Sequence, residues 1–293
     1  MVNMHYKGKN MNQEVLNNSI IIVGPVGVGK SLISSKLGER SGLPVITTDL
    51  MRHCPKDSEE IDRRQADVEG RIGVVEKKLD SFFTKFASSK KEKLMQELDF
   101  LKNESWVCDR QREMRKLLPN VSSYEDMGFR GHISHYMEDN FGKVGWHFYQ
   151  KQFENQLLSE IIEQLSTPAI IDMGGGMAIS LDDEYSKIAE GLQEKDSVVL
   201  RKYIDMDKVG FSHIADSLSH CPNVVELRLP DNYRETMARA SRDELNEKFI
   251  SSGQFGQVST RHIATDGLIT GVSYDEVRLN DILEQVDQER EKE

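Results

Sequence analysis

A glycine-rich octapeptide near the start of the chain has the residue types and the spacing of a phosphate-binding loop. Residues 24–31 read GPVGVGKS, a full match to the pattern G-x-x-x-x-G-K-[ST]. Glycines let successive backbone N–H groups converge on phosphate oxygens, Lys30 brings positive charge to the β- and γ-phosphates, and the Ser31 hydroxyl is a ligand for magnesium. The predicted contacts are Gly24, Gly27, Val28, Gly29, Lys30, Ser31 and Leu32.

Two elements must position this loop. The four β-branched residues 20–23, IIIV, predict a short buried strand directly before it. The amphipathic segment 32–37, LISSKL, predicts a helix directly after it, and the positive end of that helix dipole adds to an anion site. A chance glycine loop is the weaker interpretation, because a phosphate loop requires this strand and this helix.

Two aspartates end further predicted strands. Residues 43–49, LPVITTD, end in Asp49, and residues 167–173, TPAIIDM, carry Asp172 near their end. Ligands of open parallel sheets bind outside the carboxyl ends of the strands, so both carboxylates are expected on the edge that holds the loop. We expect Asp172 to reach magnesium. Asp49 either faces a ligand or caps the segment 50–52, because aspartate is a favoured helix cap.

Further candidate ligand contacts come from glycines and arginines. Gly174, Gly175 and Gly176 follow Asp172 at once and predict either close approach of a ligand or a tight turn, of which we favour the ligand. Arg239 and Arg242 lie at helical spacing in the predicted helix 233–249, ahead of a glycine-punctuated stretch typical of a hinged lid. We expect that helix to close over a nucleotide. Arg130 stands in a segment, 104–150, that reads as a cover for a substrate.

Composition restricts the partners. The net charge of -11 over 293 residues argues against a protein that grips a nucleic-acid backbone, which takes clustered Lys and Arg. No apolar run approaches the roughly 18 residues of a membrane span. The polar start of the chain has no apolar core of a signal peptide, so residues 1–18 are predicted to be a disordered leader and the protein cytoplasmic. Three dispersed cysteines indicate reduced thiols.

The middle of the chain has a different pattern. Apolar residues between 57 and 103 alternate four and three apart, which predicts a helical hairpin with one apolar seam and a candidate homodimer interface. Residues 197–200 predict a weaker strand, 213–220 a helix, 223–229 and 261–267 two further strands, and 273–286 a closing helix. The predicted class is α/β: a three-layer sandwich around a parallel sheet, formed by 19–56 and 150–287, with an inserted helical subdomain over 57–149 and a charged tail over 288–293.

The order of these parts resembles the shikimate kinase family and, more broadly, the nucleoside-monophosphate-kinase-like group of small-molecule kinases. The resemblance rests on GPVGVGKS, LPVITTD, IIDMGGG, the arginine helix, HIATDG and SYDEVRLNDIL. It implies a P-loop NTPase fold, ATP as phosphoryl donor, Mg²⁺ as cofactor and a small hydroxyl-bearing acceptor. It also implies that Asp49 matches the family aspartate that contacts the acceptor hydroxyl, and that Gly174–Gly176 matches the glycine triplet of the acceptor site.

The acceptor half departs from that family. Thr47 replaces the family aspartate associated with magnesium, Lys151 is the nearest substitute for one carboxylate-binding arginine, and Ser251 stands where a second would fall. Losing two planar carboxylate clamps is not a conservative change, so the resemblance does not imply shikimate as acceptor. Arg130, Lys151 and the glycine triplet are the candidate acceptor contacts.

The resulting hypothesis is an ATP- and Mg²⁺-dependent kinase in which Lys30, Asp49, Arg239 and Arg242 act in phosphoryl transfer and Ser31 and Asp172 hold the metal. The alternatives are a nucleotide-binding regulatory or interaction protein that works through the helical insertion, a toxin-like kinase, and a plain NTP hydrolase.

Overall fold

The computed structural model describes residues 13–52, 54–55, 57–81, 88–121, 139–140, 154, 157–175, 186–187, 189–229, 254–266, 268–270 and 273–287. The chain divides into two compact units, a core unit of residues 1–49 and 127–293 and a helical unit of residues 50–126. Residues 141–153 and the predicted tail, 288–293, lie outside the described part. The expected boundaries of the insertion, 57 and 149, stay predictions.

The elements follow one another in a βαβ-rich order. The strands are β1 (Ile20–Val23), β2 (Val45–Thr47), β3 (Ile170–Asp172), β4 (Val224–Arg228), β5 (Arg261–Ala264), β6 (Ile269–Thr270) and β7 (Ser273–Tyr274). The helices are α1 (Gln13–Asn17), α2 (Lys30–Ser41), α3 (Thr48–Arg52), α4 (Ser58–Ser81), α5 (Ser88–Leu117), α6 (Glu194–Ser219), α7 (Phe255–Val258) and α8 (Glu276–Asp287). Residues 157–164 are also helical.

Five strands of the core unit form one sheet, in the order β2-β3-β1-β4-β5. All four pairings are parallel, so the fold is α/β with an all-parallel five-stranded sheet. Strands β6 and β7 pair separately as a short antiparallel ribbon. Because parallel strands end at one edge, the segments that follow β1, β2 and β3 meet there.

The central strands of the sheet are fully buried. Every residue of β1 and β3 is buried, as expected for central strands of a parallel sheet. Alternate residues of β1, Ile20 and Ile22, join one apolar cluster with Ile33 and Leu37 of α2. The same cluster takes a stripe from α8, namely Leu279, Ile282, Leu283 and Val286. That spacing of three and four places one helix face on the sheet.

Two expectations about local structure were wrong. Residues 197–200, expected as a strand, lie inside α6. Val198 is 61% exposed while Leu200 and Ile204, four residues apart, are buried, so burial follows the helical period and overrides the β-branched composition. Residues 13–17 of the expected disordered leader form α1, because its adjacent apolar pair, Val15 and Leu16, is buried. Residues 1–12 lie outside the described part.

The helical unit contains two long antiparallel helices, α4 and α5. Val68 and Val75 of α4 pack with Leu101 of α5, and the partly buried Ile72, Leu79, Leu94 and Leu98 extend that cluster. Polar contacts link the same two helices: the Arg112 guanidinium lies 2.9 Å from Asp62, and the Gln65 side-chain amide donates a 2.9 Å hydrogen bond to the Ser105 hydroxyl. The apolar residues that are spaced four and three apart in the sequence are therefore those that pack between α4 and α5. No helix of the described residues is long and apolar enough to cross a membrane.

Candidate functional site

The glycine loop leaves β1 under tight steric limits. Gly24 has a φ of 144°, and a Cβ there would lie 2.6 Å from the Leu227 carbonyl oxygen of β4. Only glycine meets both conditions without strain. Gly27 and Gly29 also have positive φ, 82° and 97°, and Gly29 is the left-handed residue immediately before α2. The loop thus turns its backbone sharply and delivers it to the N-terminus of a helix, where free N–H groups favour anions.

Lys30 opens α2 and folds back over the loop. Its ammonium donates 2.9 Å hydrogen bonds to the carbonyl oxygens of Gly24 and Pro25. The side chain is only 8% exposed. Burial lowers the pKa of Lys30, and the nearby negative charges of Asp172 and Asp49 oppose that shift. The ammonium is therefore held inside the loop, close to two carboxylates.

Asp172 is the last residue of β3 and is 3% exposed. Burial raises the pKa of its carboxyl to about 6, while the charge of Lys30 and a hydrogen bond from Ser31 act in the opposite direction. One carboxylate oxygen, Oδ2, is buried and has no hydrogen-bond partner among the described residues. A buried polar atom without a partner is costly, so this oxygen marks a place where a ligand would improve the structure.

The sequence pattern predicted a strand that ends in Asp49. In the structure, Asp49 is not part of β2. The strand ends at Thr47 and α3 begins at Thr48, which places exposed Asp49 in the first turn of that helix, as its second residue and not as the cap before residues 50–52. Its charge nevertheless acts on both Lys30 and Asp172. Three charged side chains from the ends of β1, β2 and β3 are therefore close enough to influence one another.

The glycine turn after β3 lies against the phosphate loop. A Cβ on Gly175 would lie 2.6 Å from the Val26 side chain and 3.1 Å from the Val26 backbone nitrogen. The Met173 backbone nitrogen donates a 3.0 Å hydrogen bond to the Ile22 carbonyl of β1. The close approach of this turn to the backbone of the phosphate loop thus explains why a glycine is required at 175. It also places Gly174 and Gly175 beside the loop.

Sequence reasoning missed Thr48, which is 2% exposed. Its hydroxyl donates a 3.2 Å hydrogen bond to the Asp172 carbonyl and accepts a 2.8 Å hydrogen bond from the Gly174 backbone nitrogen. The one available indication was its place beside Asp49 at the end of a predicted strand. A hydroxyl that both donates and accepts thereby links the ends of β2 and β3.

Sequence reasoning also missed a polar cluster on β4 and β5. Glu226 is buried, and its Oε2 lies 2.6 Å from His262 Nδ1, accepts a 3.0 Å hydrogen bond from Nε of Arg228 and forms a 3.0 Å ion pair with Nη2 of the same side chain. The Ser259 hydroxyl lies 3.3 Å from the same His262 nitrogen. Because Ser259 and Glu226 share one ring nitrogen, the three do not form a nucleophile–base–carboxylate relay.

The remaining predicted contacts divide into two groups. Val28 and Leu32 send their side chains into or against the apolar cluster, so only the main chain of Val28 is available to a phosphate. Arg130, Lys151, Gly176, Arg239 and Arg242 lie outside the described residues. Their roles stay predictions.

Hard oxygen ligands suit magnesium, which is usually held by one or two carboxylates together with substrate phosphates rather than by a dedicated cage. Asp172 and Ser31 supply one carboxylate and one hydroxyl, so the residues present fit that ion. Within the described part of the chain, three or more His, Cys, Asp or Glu side chains do not cluster as a metal site.

Comparisons with protein-family models, with curated proteins and with solved structures found no match.

Proposed function

We propose that the chain is an ATP- and Mg²⁺-dependent phosphotransferase that acts on a hydroxyl group of a small molecule. The proposal includes a kinase-like P-loop fold for the core unit, related in organisation to the shikimate kinase family. The observation that carries it is the buried Oδ2 of Asp172, which has no hydrogen-bond partner among the described residues, on a carboxyl group that accepts a hydrogen bond from Ser31 and is influenced by the charge of Lys30. A cation held with nucleotide phosphates would satisfy that oxygen.

The donor side of the reaction would be held by the loop. The backbone N–H groups at the start of α2 would receive the phosphates, and the Lys30 ammonium, which donates to two loop carbonyls, would exchange those partners for the β- and γ-phosphate oxygens. Ser31 and Asp172 would hold the metal. Magnesium, when bound, neutralises charge on the β- and γ-oxygens.

The acceptor side would be organised by Asp49. In this reaction the acceptor hydroxyl oxygen forms a bond to the γ-phosphorus while the bond between that phosphorus and the ADP oxygen breaks. The hydroxyl proton passes to the Asp49 carboxylate, which lies exposed in the first turn of α3. Gly174, Gly175 and Gly176, with Arg130 and Lys151, are the proposed acceptor contacts. Arg239 and Arg242 are proposed to close over the transferring group and exclude water.

The test is transfer of labelled γ-phosphate from ATP. The protein is incubated with Mg²⁺, the labelled ATP and a metabolite extract, and the products are separated. A labelled small organic product supports the kinase, while labelled free phosphate alone supports a hydrolase. Neither product, with retained ATP binding, supports a binding protein.

Two substitutions sharpen that assay. Lys30→Ala should abolish the labelled product, because it removes the cation that faces the phosphates. Lys36→Ala is the matched control, since Lys36 lies on the same helix but is paired with Glu39 at 2.7 Å on the surface. Asp49→Asn should reduce transfer by about 10²- to 10⁴-fold while leaving ATP affinity close to that of the wild type. An unchanged transfer rate in that variant would remove Asp49 from the mechanism.

One observation favours a second candidate, a nucleotide-binding interaction protein that works through the helical unit. Three large apolar side chains of α5 are strongly exposed: Phe100 at 64%, and Met95 and Trp106 at 50% each. Contiguous apolar patches on a protein surface mark sites that meet a partner, and Met95 and Trp106 lie about three helical turns apart on one face of α5. ATP binding without product in the assay above would favour this candidate.

A further inference from the structure

Thr48 occupies the point where β2 stops pairing with β3. The ladder between these strands ends at the pair Thr47 and Asp172, and the chain then turns into α3. Main-chain pairing cannot continue past that turn, so the Gly174 N–H needs another acceptor. The buried Thr48 hydroxyl provides it at 2.8 Å, and the same hydroxyl donates to the Asp172 carbonyl at 3.2 Å. The Thr48 side chain thus takes the place of the main-chain hydrogen bonds that would continue the pairing of β2 with β3.

The backbone of residues 172–174 is thereby held from both sides. On the β1 side, the Met173 nitrogen donates to the Ile22 carbonyl at 3.0 Å. On the β2 side, Thr48 holds both the Asp172 carbonyl and the Gly174 nitrogen. Fixing these peptide groups fixes the direction in which the Asp172 carboxylate leaves the strand, and it also presses the following glycine, Gly175, against Val26 of the phosphate loop.

Thr48 also precedes Asp49 directly in the sequence. The residue that anchors the turn carrying Asp172 therefore also anchors the start of the helix carrying Asp49. Through one hydroxyl, the separation of the donor-side and acceptor-side carboxylates is tied to the spacing of β2 and β3. Active-site groups need this kind of support, because small displacements of a reacting group reduce rates strongly.

We propose that Thr48 is a positioning residue, whose hydroxyl orients the Asp172 carboxylate toward the metal and sets its spacing from Asp49. This proposal rests on the proposed function, since it concerns the magnesium-nucleotide site. The role requires a group that donates and accepts at once, which serine retains and the isosteric valine lacks. Valine would leave the Gly174 N–H buried and without its acceptor.

The test compares Thr48→Val with Thr48→Ser by measuring ATP affinity with excess Mg²⁺ and with EDTA, at a temperature well below the melting of each variant. The ratio of ATP affinity with Mg²⁺ to ATP affinity with EDTA reports metal binding beside the nucleotide. A loss of stability alone does not change this ratio. Loss of groups that orient metal ligands typically reduces metal affinity by about 10- to 100-fold. Thr48→Val should lower the ratio by that factor, and Thr48→Ser should keep the wild-type ratio.

Each outcome decides the proposal. The proposal is overturned if Thr48→Val keeps the wild-type ratio of ATP affinities. It is also overturned if the ratio of Thr48→Ser falls as far as that of Thr48→Val. If Thr48→Val does not fold, Thr48→Ala is measured in its place under the same criteria. If neither folds while Thr48→Ser does, the hydroxyl serves the fold and the positioning role is overturned.

Lys30→Ala, measured in the same series, separates this proposal from the one on which it rests. If the wild-type protein binds ATP no better than Lys30→Ala does, the proposed function fails and this inference fails with it. If the wild type binds ATP in a Mg²⁺-dependent way and Thr48→Val does the same, only the role of Thr48 fails.

Discussion

Two buried carboxylates stand on the two strands that flank β1 in the sheet, Asp172 at the end of β3 and Glu226 within β4. They are similarly inaccessible, 3% and 7% exposed. Glu226 has its Oε2 shared by His262 and Arg228, so its charge is paired within the fold. Asp172 has an Oδ2 that no described residue satisfies, and burial raises its pKa to about 6.

The difference shows how burial should be interpreted. A buried carboxylate that accepts hydrogen bonds from neighbouring side chains is satisfied within the fold and requires no ligand. A buried carboxylate with one oxygen left without a hydrogen-bond partner costs free energy in the empty protein, and such a group is a candidate for use by a ligand or a reaction. We therefore expect Glu226 to serve the fold and Asp172 to serve the proposed binding of ligand. The following predictions measure that contrast as Mg²⁺-dependent ATP affinity.

The largest change is expected from Asp172→Asn. Asparagine keeps the shape but removes the negative charge that a metal requires, so the Mg²⁺-dependent part of ATP affinity should fall by about 100-fold or more. Titration of ATP with and without Mg²⁺, followed by calorimetry, measures it. An unchanged Mg²⁺-dependence would remove Asp172 from the metal site and would leave its unpaired oxygen without a function.

A smaller change is expected from pH. The pKa of Asp172 lies above the usual 3.8, near 6, so in the empty protein its carboxyl keeps a proton that the unfolded chain releases, and its contribution to stability falls as pH rises from about 4 to 6. Metal binding requires the deprotonated carboxylate, so metal affinity rises as pH rises through the same range. The Mg²⁺-ATP-induced rise in melting temperature should therefore shrink below pH 6, with affinity at pH 5 about tenfold weaker than at a pH well above 6, where the carboxyl is fully deprotonated.

That pH effect has its own control. In Asp172→Asn the melting-temperature shift caused by Mg²⁺-ATP should lose its change near pH 6, because the titrating group is gone. Equal pH dependence in the two proteins would assign the effect to another group, including the phosphates of the nucleotide.

The smallest change in ATP affinity is expected from Glu226→Gln, which should bind Mg²⁺-ATP as the wild type does. Its effect should appear in stability, because Arg228 and His262 lose a charged acceptor. Hydrogen bonds to charged groups contribute about 1–3 kcal/mol, so the free energy of unfolding should fall by an amount in that range. Urea denaturation measures it. A Glu226→Gln protein of unchanged stability and weakened Mg²⁺-ATP binding would reverse the contrast between the two carboxylates.

Much of the fold could be predicted because it is encoded locally. Glycines at 24, 27 and 29 are needed where the backbone takes positive φ, and the apolar run 20–23 became the central strand β1. The four-and-three spacing of Val68, Val75 and their neighbours identified the seam between α4 and α5. Local composition misled where burial overrode it, as at residues 197–200 within α6 and at the buried pair in α1.

The sequence by itself determined the loop, the parallel α/β class and the aspartate that ends β3, because each depends on residues next to one another in the chain. Only the tertiary structure decided which polar groups are satisfied. Thr48 and Gly174 are 126 residues apart, and Glu226 and His262 are 36 apart. Their meeting depends on the strand order and register, which no short pattern encodes. Whether a carboxylate such as Asp172 keeps an unpaired oxygen follows from that arrangement, since it is set by everything that surrounds the side chain.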